Sequence, residues 1–381
     1  MHDIVIAGIG QTQVGEHWDI SMRELAHYAI QAALQDAGKI QPQALYVGNM
    51  LAPNLSHQSH LGALLADFSG LGGIEAASLE AGSASGGAAL RQGYLAIASG
   101  YIQAALVVGV EKFTDSIGAD TETALANSTD SDFEAIQGMT PTAQAALLMQ
   151  RYMHDHDVPA DGLAGFALTA HANGVGNPNA MFQKGIKLET YQRAAMVSNP
   201  LNMFDVAPMA DGAAAILLVQ RNLLPPNFQH PLIQINGSAS STDRMAVHDR
   251  LNPLEFKAAK ISSDKALQRA GISTKELDLF EYFDSYSIFA ALSLEACGFA
   301  EVGTGWEKAR DGLPTPCATM GGLKARGHPG GATGVYQAVE ATMQLRGTAG
   351  NCQVENARYA MIQALGGPAS TAISHILQRL E

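Results

Sequence analysis

The sequence predicts an α/β protein whose sheets are buried on both faces. Three observations lead there. Apolar runs of strand length alternate with helical stretches, a βαβ rhythm. Gly and Ala are abundant, while aromatics make up only 6% of the 381 residues, a mix that suits helices packed on a buried sheet better than a β-sandwich. One helix–turn–strand pattern also occurs twice, 233 residues apart.

The elements follow in order. Residues 4–7, Ile4-Val5-Ile6-Ala7, read as a buried strand entered at once from the N-terminus, with no signal-peptide layout. Residues 22–37 form an amphipathic helix that stops at Gly38. Residues 44–47 form a second strand, and 104–110 are an apolar run typical of a central one. Ala33-Leu34-Gln35-Asp36-Ala37-Gly38 recurs as Ala266-Leu267-Gln268-Arg269-Ala270-Gly271, and a short turn and strand follow each copy, at 44–47 and 279–282. Each half then carries a Gly-rich turn opening an Ala-rich helix, at residues 83–98 and 328–345. Two echoes in the same order predict a duplicated α/β unit, with halves 1–225 and 226–381 joined near Leu224-Pro225-Pro226-Asn227. The polar stretch 113–200, built around a helix at 143–153, breaks the rhythm and reads as an insertion capping the first half.

Composition narrows the function. A formal net charge of −13 argues against nucleic acid as a partner, although a local pocket of N–H groups still holds an anionic ligand. Cys297, Cys317 and Cys352 show no paired spacing and no Cys/His cluster, so no disulfide framework and no metal site are expected. No apolar run approaches the ~18 residues of a membrane span, and a cytoplasmic, reducing location is expected.

Two turns carry the chemistry. Glu80-Ala81-Gly82-Ser83-Ala84-Ser85-Gly86-Gly87 places Ser83 at a corner before a helix whose N–H groups and dipole point at whatever sits there. The run from Gly321 to Gly334 holds Lys324, Arg326 and His328 on a turn stiffened by Gly and Pro. His328 there suits a general acid/base or an oxyanion donor, or else a structural histidine in a tight loop. His57 and His60 lack further metal ligands, His154 and His156 lie in a polar stretch, Lys184 and Lys187 read as exposed surface cations, with a phosphate contact as the alternative, and Cys317 reads as a small buried residue.

Together these segments resemble the thiolase superfamily, in its archaeal and sterol-carrier-protein-like branch. The residues that carry the likeness run through nearly the whole chain in order: 80–90 as the nucleophile loop, Val107-Val108-Gly109-Val110-Glu111-Lys112 as the strand after it, Asp211-Gly212-Ala213-Ala214, Lys324-Ala325-Arg326-Gly327-His328-Pro329, and 371–377 at the end. The resemblance implies two fused βαβαβαββ halves in a five-layered α/β/α/β/α core with an inserted loop domain. It implies an acyl-CoA C-acyltransferase that forms or cleaves the C–C bond of a 3-oxoacyl-CoA, with a coenzyme A thioester as substrate and no permanently bound cofactor. It assigns Ser83 and His328 as catalytic, and Gly322, Lys324, Gly327, Gly366 and Gly367 as the residues that meet CoA. It further implies a homodimer or homotetramer, with a zinc-ribbon/OB-fold protein as a partner of some members.

Three positions depart from the pattern. The acyl-accepting Cys falls on Ser83, the His of the His-Asp motif on Phe283, and the His-Asn pair on Gln363 and Ala364. A Ser hydroxyl is a weak nucleophile without a positioned base, and an acyl-Ser ester is a poorer acyl donor to CoA than a thioester. The expected activity is therefore altered or reduced, with Gln363 or backbone N–H groups as oxyanion donors. Two alternatives stand beside it: a C–C lyase of the aldolase type using Tyr286 or Tyr282, and a non-catalytic CoA-binding or assembly subunit. A lone Cys→Ser exchange accounts for Ser83 but not for Phe283 or Gln363.

Overall fold

The computed structural model describes residues 3–38 and 40–380; Met1 and His2 of the expected N-terminal entry lie outside it. The first half runs β1 (Ile4–Gln11), α1 (Met22–Asp36), β2 (Ala44–Gly48), α2 (Ala52–Leu55), α3 (Leu61–Phe68), β3 (Glu75–Leu79), α4 (Ser85–Ala98) and β4 (Ala104–Glu111). Between β4 and the next strand of the sheet come α5 (Ala119–Ala126), α6 (Pro141–Asp155), α7 (Ala164–Gly174), α8 (Leu188–Gln192) and a small ribbon, β5 (Met196–Ser198) with β6 (Leu201–Asn202). β7 (Gly212–Gln220) closes the half. The second half runs β8 (Ile233–Thr242), α9 (Lys257–Ala270), β9 (Leu279–Glu281), α10 (Ser287–Ala296), α11 (Gly305–Asp311), α12 (Gly322–Arg326), α13 (Thr333–Arg346), β10 (Tyr359–Gly366) and β11 (Thr371–Arg379).

Local signals set these boundaries. Ser21 caps α1: its Oγ accepts from the Glu24 N–H, and Glu24 returns a carboxylate to the Ser21 N–H at 2.9 Å, a reciprocal capping box. α9 and α13 both stop at a glycine in the left-handed region, Gly271 and Gly347. β4 and β7 read as unbroken apolar runs because every residue in them is buried.

The strand order, β3-β2-β4-β7-β1-β8-β11-β10-β9, makes the duplication visible. Outward from the centre, β1-β7-β4-β2 on one side mirrors β8-β11-β10-β9 on the other. The senses mirror too: β2 runs parallel to β4 as β9 does to β10, the other pairs among these eight strands are antiparallel, and β3 at the edge runs parallel to β2. The counterpart of β3 is reduced to one bridge, Phe280 to Cys317. One residue pair, Val5 with Gln234, links the two sheets. α1 covers the outer face of the first sheet and α9 that of the second, while α4 and α13 pack against each other between them. This is the five-layered α/β/α/β/α arrangement that the resemblance implied.

The two middle helices meet backbone to backbone at their N-termini. A Cβ on Gly86 would stand 2.8 Å from the Gly331 carbonyl, and one on Gly334 would overlap the Gly87 nitrogen. Glycines in both turns therefore do one job: they let two helix starts approach more closely than side chains allow. That approach sets where the chemistry sits. Among the described residues, no helix is long and apolar enough to cross a membrane.

Candidate functional site

The Ser83 turn is built by its neighbours. Gly82 takes a left-handed φ of 58°, which turns the chain sharply before α4. The Ser85 hydroxyl accepts from the Ala81 N–H at 2.9 Å and donates to the Gly82 carbonyl at 2.5 Å. Ser85 is thus the structural serine. Ser83, half-buried, has only Met50 Sδ as a side-chain partner among the described residues, at 3.5 Å. No protein acceptor takes the amide of Ser83 or of Gly367 among the described residues.

His328 is held from every side. Its N–H donates to the Pro208 carbonyl at 2.8 Å, and its own carbonyl accepts from the Ala210 N–H. Segment 208–210 is in turn anchored through Asp211, which accepts from the His17, Phe113 and Thr114 N–H groups and pairs with Lys112 at 3.2 Å. Behind His328, Arg326 forms an interior ion pair with Glu340 at 2.9 Å. The imidazole Nδ1 is 2.7 Å from the Thr333 hydroxyl, which leaves Nε2 for the cavity. The ring of Phe283 stands edge-on to it at 5.3 Å. Burial first, and then the Arg326 charge, push His328 down to about 3. The ring is neutral at ordinary pH.

Glu111, at the end of β4, joins the two halves here. Its carboxylate accepts from the Met50, Leu51 and Gly331 N–H groups and from the Asn49 amide, at 2.9–3.0 Å. It fixes both Met50, which touches Ser83, and the turn that follows His328. Burial pushes its carboxyl up to about 7, although these four donors oppose the shift.

One small cavity, about 30 Å³, brings the parts together. Ser83, His328 and Gly367 line it, with Met50, Met209, Phe283 and Tyr286 from the core and Leu125, Pro141 and Gln144 from the inserted segment. The N-termini of α4 and α13 both end beside it, and their dipoles favour negative charge there.

The remaining residues expected at the site fall elsewhere. Gly366 sits directly against the Ala81 carbonyl and brings Gly367 to the Ser83 turn. Gly322 packs on the Asp284 carboxylate, and Gly327 on Val14 and Ala210, both away from the cavity. Lys324 is 2% exposed, and its ammonium donates to the Phe204 and Asp205 carbonyls. Gln363 is not an oxyanion donor. Side chains alternate along β10, so its amide points into the core toward Ala259 O, Cys297 Sγ and Ser374 Oγ, and Ala364 faces α4 instead. Tyr282 is buried between Phe166 and Phe280, whereas Tyr286 reaches the cavity and pairs with the Thr142 hydroxyl at 3.0 Å. Cys317 is buried and burial raises its thiol far above its usual value. Lys184 and Lys187 are exposed. No group of three His, Cys, Asp or Glu able to hold a metal occurs among the described residues.

Sequence reading missed Glu111, Thr333 and Gln144 as parts of this site. A signal existed for Gln144: it falls on the buried stripe 144, 148, 152 of α6, where an apolar residue is the rule.

Comparison with known proteins agrees with this geometry. The family description "Thiolase, N-terminal domain" matches residues 4–222, and "Thiolase C-terminal domain-like" matches 239–379. An acetyl-CoA acetyltransferase of Methanothermobacter thermautotrophicus is 38% identical over 386 residues, spanning 100% of both chains. One from Methanocaldococcus jannaschii is 34% identical over 99% of each. Among solved structures, the Ltp2-ChsH2(DUF35) aldolase superposes with a TM-score of 0.84 over 99% of this chain and 98% of its own, at 22% identity.

Proposed function

The chain belongs to the thiolase family, and from that premise we propose that it forms or cleaves the C–C bond of a 3-oxoacyl-CoA at the cavity shared by Ser83 and His328, with catalysis weakened by serine at the nucleophile position. One observation carries this reading: Ser83, His328 and Gly367 line a single cavity where two helix N-termini converge. The acetyl-CoA acetyltransferases it resembles over their full length support a short acyl-CoA as substrate. The walls contributed by 125–144 support a thioester lying between the inserted segment and the core.

In the acylation step, Ser83 Oγ adds to the thioester carbonyl carbon. The C–S bond then breaks, CoA leaves as the thiol with the serine proton, and an acyl-Ser ester remains. The negative oxygen formed on the way needs preorganised donors. The unengaged Ser83 and Gly367 amides and the α4 dipole supply them. His328 carries the proton between Oγ and sulfur through Nε2, oriented by Thr333, the third group that sequence reading did not find. Thr333 is neutral, however, and His328 sits at about 3. A base so weak assists a serine hydroxyl poorly. It would assist a Cys thiol, with its pKa near 8.5, far better. In the condensation half-reaction, Nε2 faces an enolate oxygen, a role that a neutral imidazole fills as a donor.

Tyr286 favours a second reading. Its hydroxyl, at the cavity wall beside His328, lies where a C–C lyase would keep a proton donor without any acyl-enzyme. Mass spectrometry of the protein incubated with acetyl-CoA separates the two. An acetyl adduct on Ser83 is expected. CoA binding without an adduct favours the lyase or a non-catalytic subunit, and no CoA binding overturns the reading altogether.

A cytoplasmic homodimer fits this function. β3 ends the sheet with its outer edge open, and its side chains are largely exposed, so a second copy pairing there would extend the sheet and cover the edge. Light scattering at micromolar concentration is expected to give at least a dimer. A monomer would point instead to a partner protein of the zinc-ribbon/OB-fold kind on that edge.

A further inference from the structure

Gln144 is the anomaly of the cavity. It sits in the first turn of α6, is 4% exposed and lines the same space as Ser83 and His328. Neither Nε2 nor Oε1 of its amide has a hydrogen-bond partner among the described residues. The nearby hydroxyls do not meet it: Thr142 and Tyr286 pair with each other at 3.0 Å. A buried amide with two unpaired ends is costly, and most such groups in native proteins are satisfied. Replacing it by an apolar side chain of equal size would remove that cost. Its retention on the apolar face of α6 calls for a ligand that supplies what the protein does not.

We infer that Gln144 is a specificity-determining residue of this site: its amide recognises the oxygen on the acyl chain of the substrate, a ketone or a hydroxyl, and is what separates oxygenated acyl-CoA thioesters from plain ones of the same length. The inference rests on the reading that a CoA thioester occupies this cavity. The chemistry follows from the amide's two ends: Nε2 donates to a ketone or a hydroxyl oxygen, while Oε1 accepts only from a hydroxyl. The space of about 30 Å³ admits one small polar group beside it. Ser128, Ser285 and Tyr286 add hydroxyls to a wall otherwise built of residues such as Met50, Leu125, Met209 and Phe289, but of the residues that line it only Gln144 has buried side-chain atoms left unpaired among the described residues.

The test is titration calorimetry in a Ser83→Ala background, which blocks acylation, with CoA, butyryl-CoA, acetoacetyl-CoA and 3-hydroxybutyryl-CoA as probes. With Gln144 present, at least one oxygenated thioester should bind about tenfold more tightly than butyryl-CoA, the size of one well-placed hydrogen bond. Gln144→Met, of similar shape and without amide atoms, should erase that preference and leave CoA affinity unchanged. A preference for hydroxyl over ketone would show that Oε1 is engaged. Equal affinities in the parent, or a preference that survives Gln144→Met, would overturn the inference while leaving the site reading intact. Failure of every probe, CoA included, would overturn both. Thermal unfolding checks folding independently, since Gln144→Met should raise the melting temperature of the free protein.

Discussion

The turns before α4 and α13 are copies of one design, yet they are held in opposite ways. The Ser83 turn is closed by its own residues, Ser85 and Glu80, and presents a half-buried hydroxyl whose side-chain hydrogen-bond partner among the described residues is Met50. The His328 turn is locked by segments far away in sequence, Pro208 and Ala210 on its backbone and Glu111 on Gly331, and by the helix that follows it, Glu340 on Arg326 and Thr333 on the imidazole. One turn presents a group and the other immobilises one. The hydrogen bonds that shape the Ser83 turn are local and none uses the Ser83 side chain, so exchange of the corner residue leaves them in place.

The largest test strikes the distant support. Glu111→Ala removes one carboxylate and strands four donors, three of them backbone N–H groups in the interior. Stranding buried partners of a charge costs about 4 kcal/mol. Denaturant unfolding should show a loss of that order, and refolded protein should lose His328-dependent activity along with it. A loss under about 1 kcal/mol would mean that the second turn stands unaided, and the contrast between the turns would vanish.

Next comes the presenting side. Ser83→Cys places an intrinsically better nucleophile at this corner. Thiolysis of acetoacetyl-CoA should rise by ~100-fold, the low end of what a positioned catalytic group contributes. No rise would show that other residues at the site, such as Phe283, limit the reaction, and not the serine.

A smaller effect separates the turns by pH. His328 is pushed from its ordinary value of 6.5 to about 3 in the folded chain. Between those values the unfolded chain binds a proton that the folded one refuses. The contribution of His328 to stability is therefore complete above pH 6.5 and is lost as pH falls toward 3. From pH 7 to pH 5 the loss is about 2 kcal/mol. Chemical denaturation at both values should show His328→Gln losing less than the parent by that amount. His375, also pushed down, to about 4, is present in both proteins and cancels. Equal losses would mean that His328 is not desolvated as the structure has it.

How much of this was legible beforehand follows from the same contrast. The fold and both turns could be read because they are written locally: a helix ending at Gly38 and again at Gly271, and Gly pairs placed where α4 and α13 touch. The supports could not. Glu111 and Gly331 are 220 residues apart, and nothing near either one announces the other. Gln363 was misplaced for a related reason: a strand offers two faces, and only the register of β10 against β11 decides which one meets Ser83. Lys324 in a Gly-rich turn suggests a phosphate ligand until Phe204 and Asp205 are seen to take its ammonium.

The smallest predicted effect is the most discriminating. Thr333 is the first residue of α13, and its hydroxyl meets the ring nitrogen that faces away from the cavity. Val at this position keeps the shape and removes the oxygen. Without a partner, Nδ1 no longer selects which nitrogen carries the proton, and the ring loses its orientation toward the substrate. One hydrogen bond of about 1 kcal/mol corresponds to roughly a fivefold fall in kcat. KM should hold, because Thr333 does not line the cavity, and Thr333→Ser should restore the rate. If KM rises instead while kcat holds, Thr333 acts through packing at the start of α13. The second turn would then immobilise its backbone and leave the imidazole to the substrate, which is the arrangement of the first turn after all.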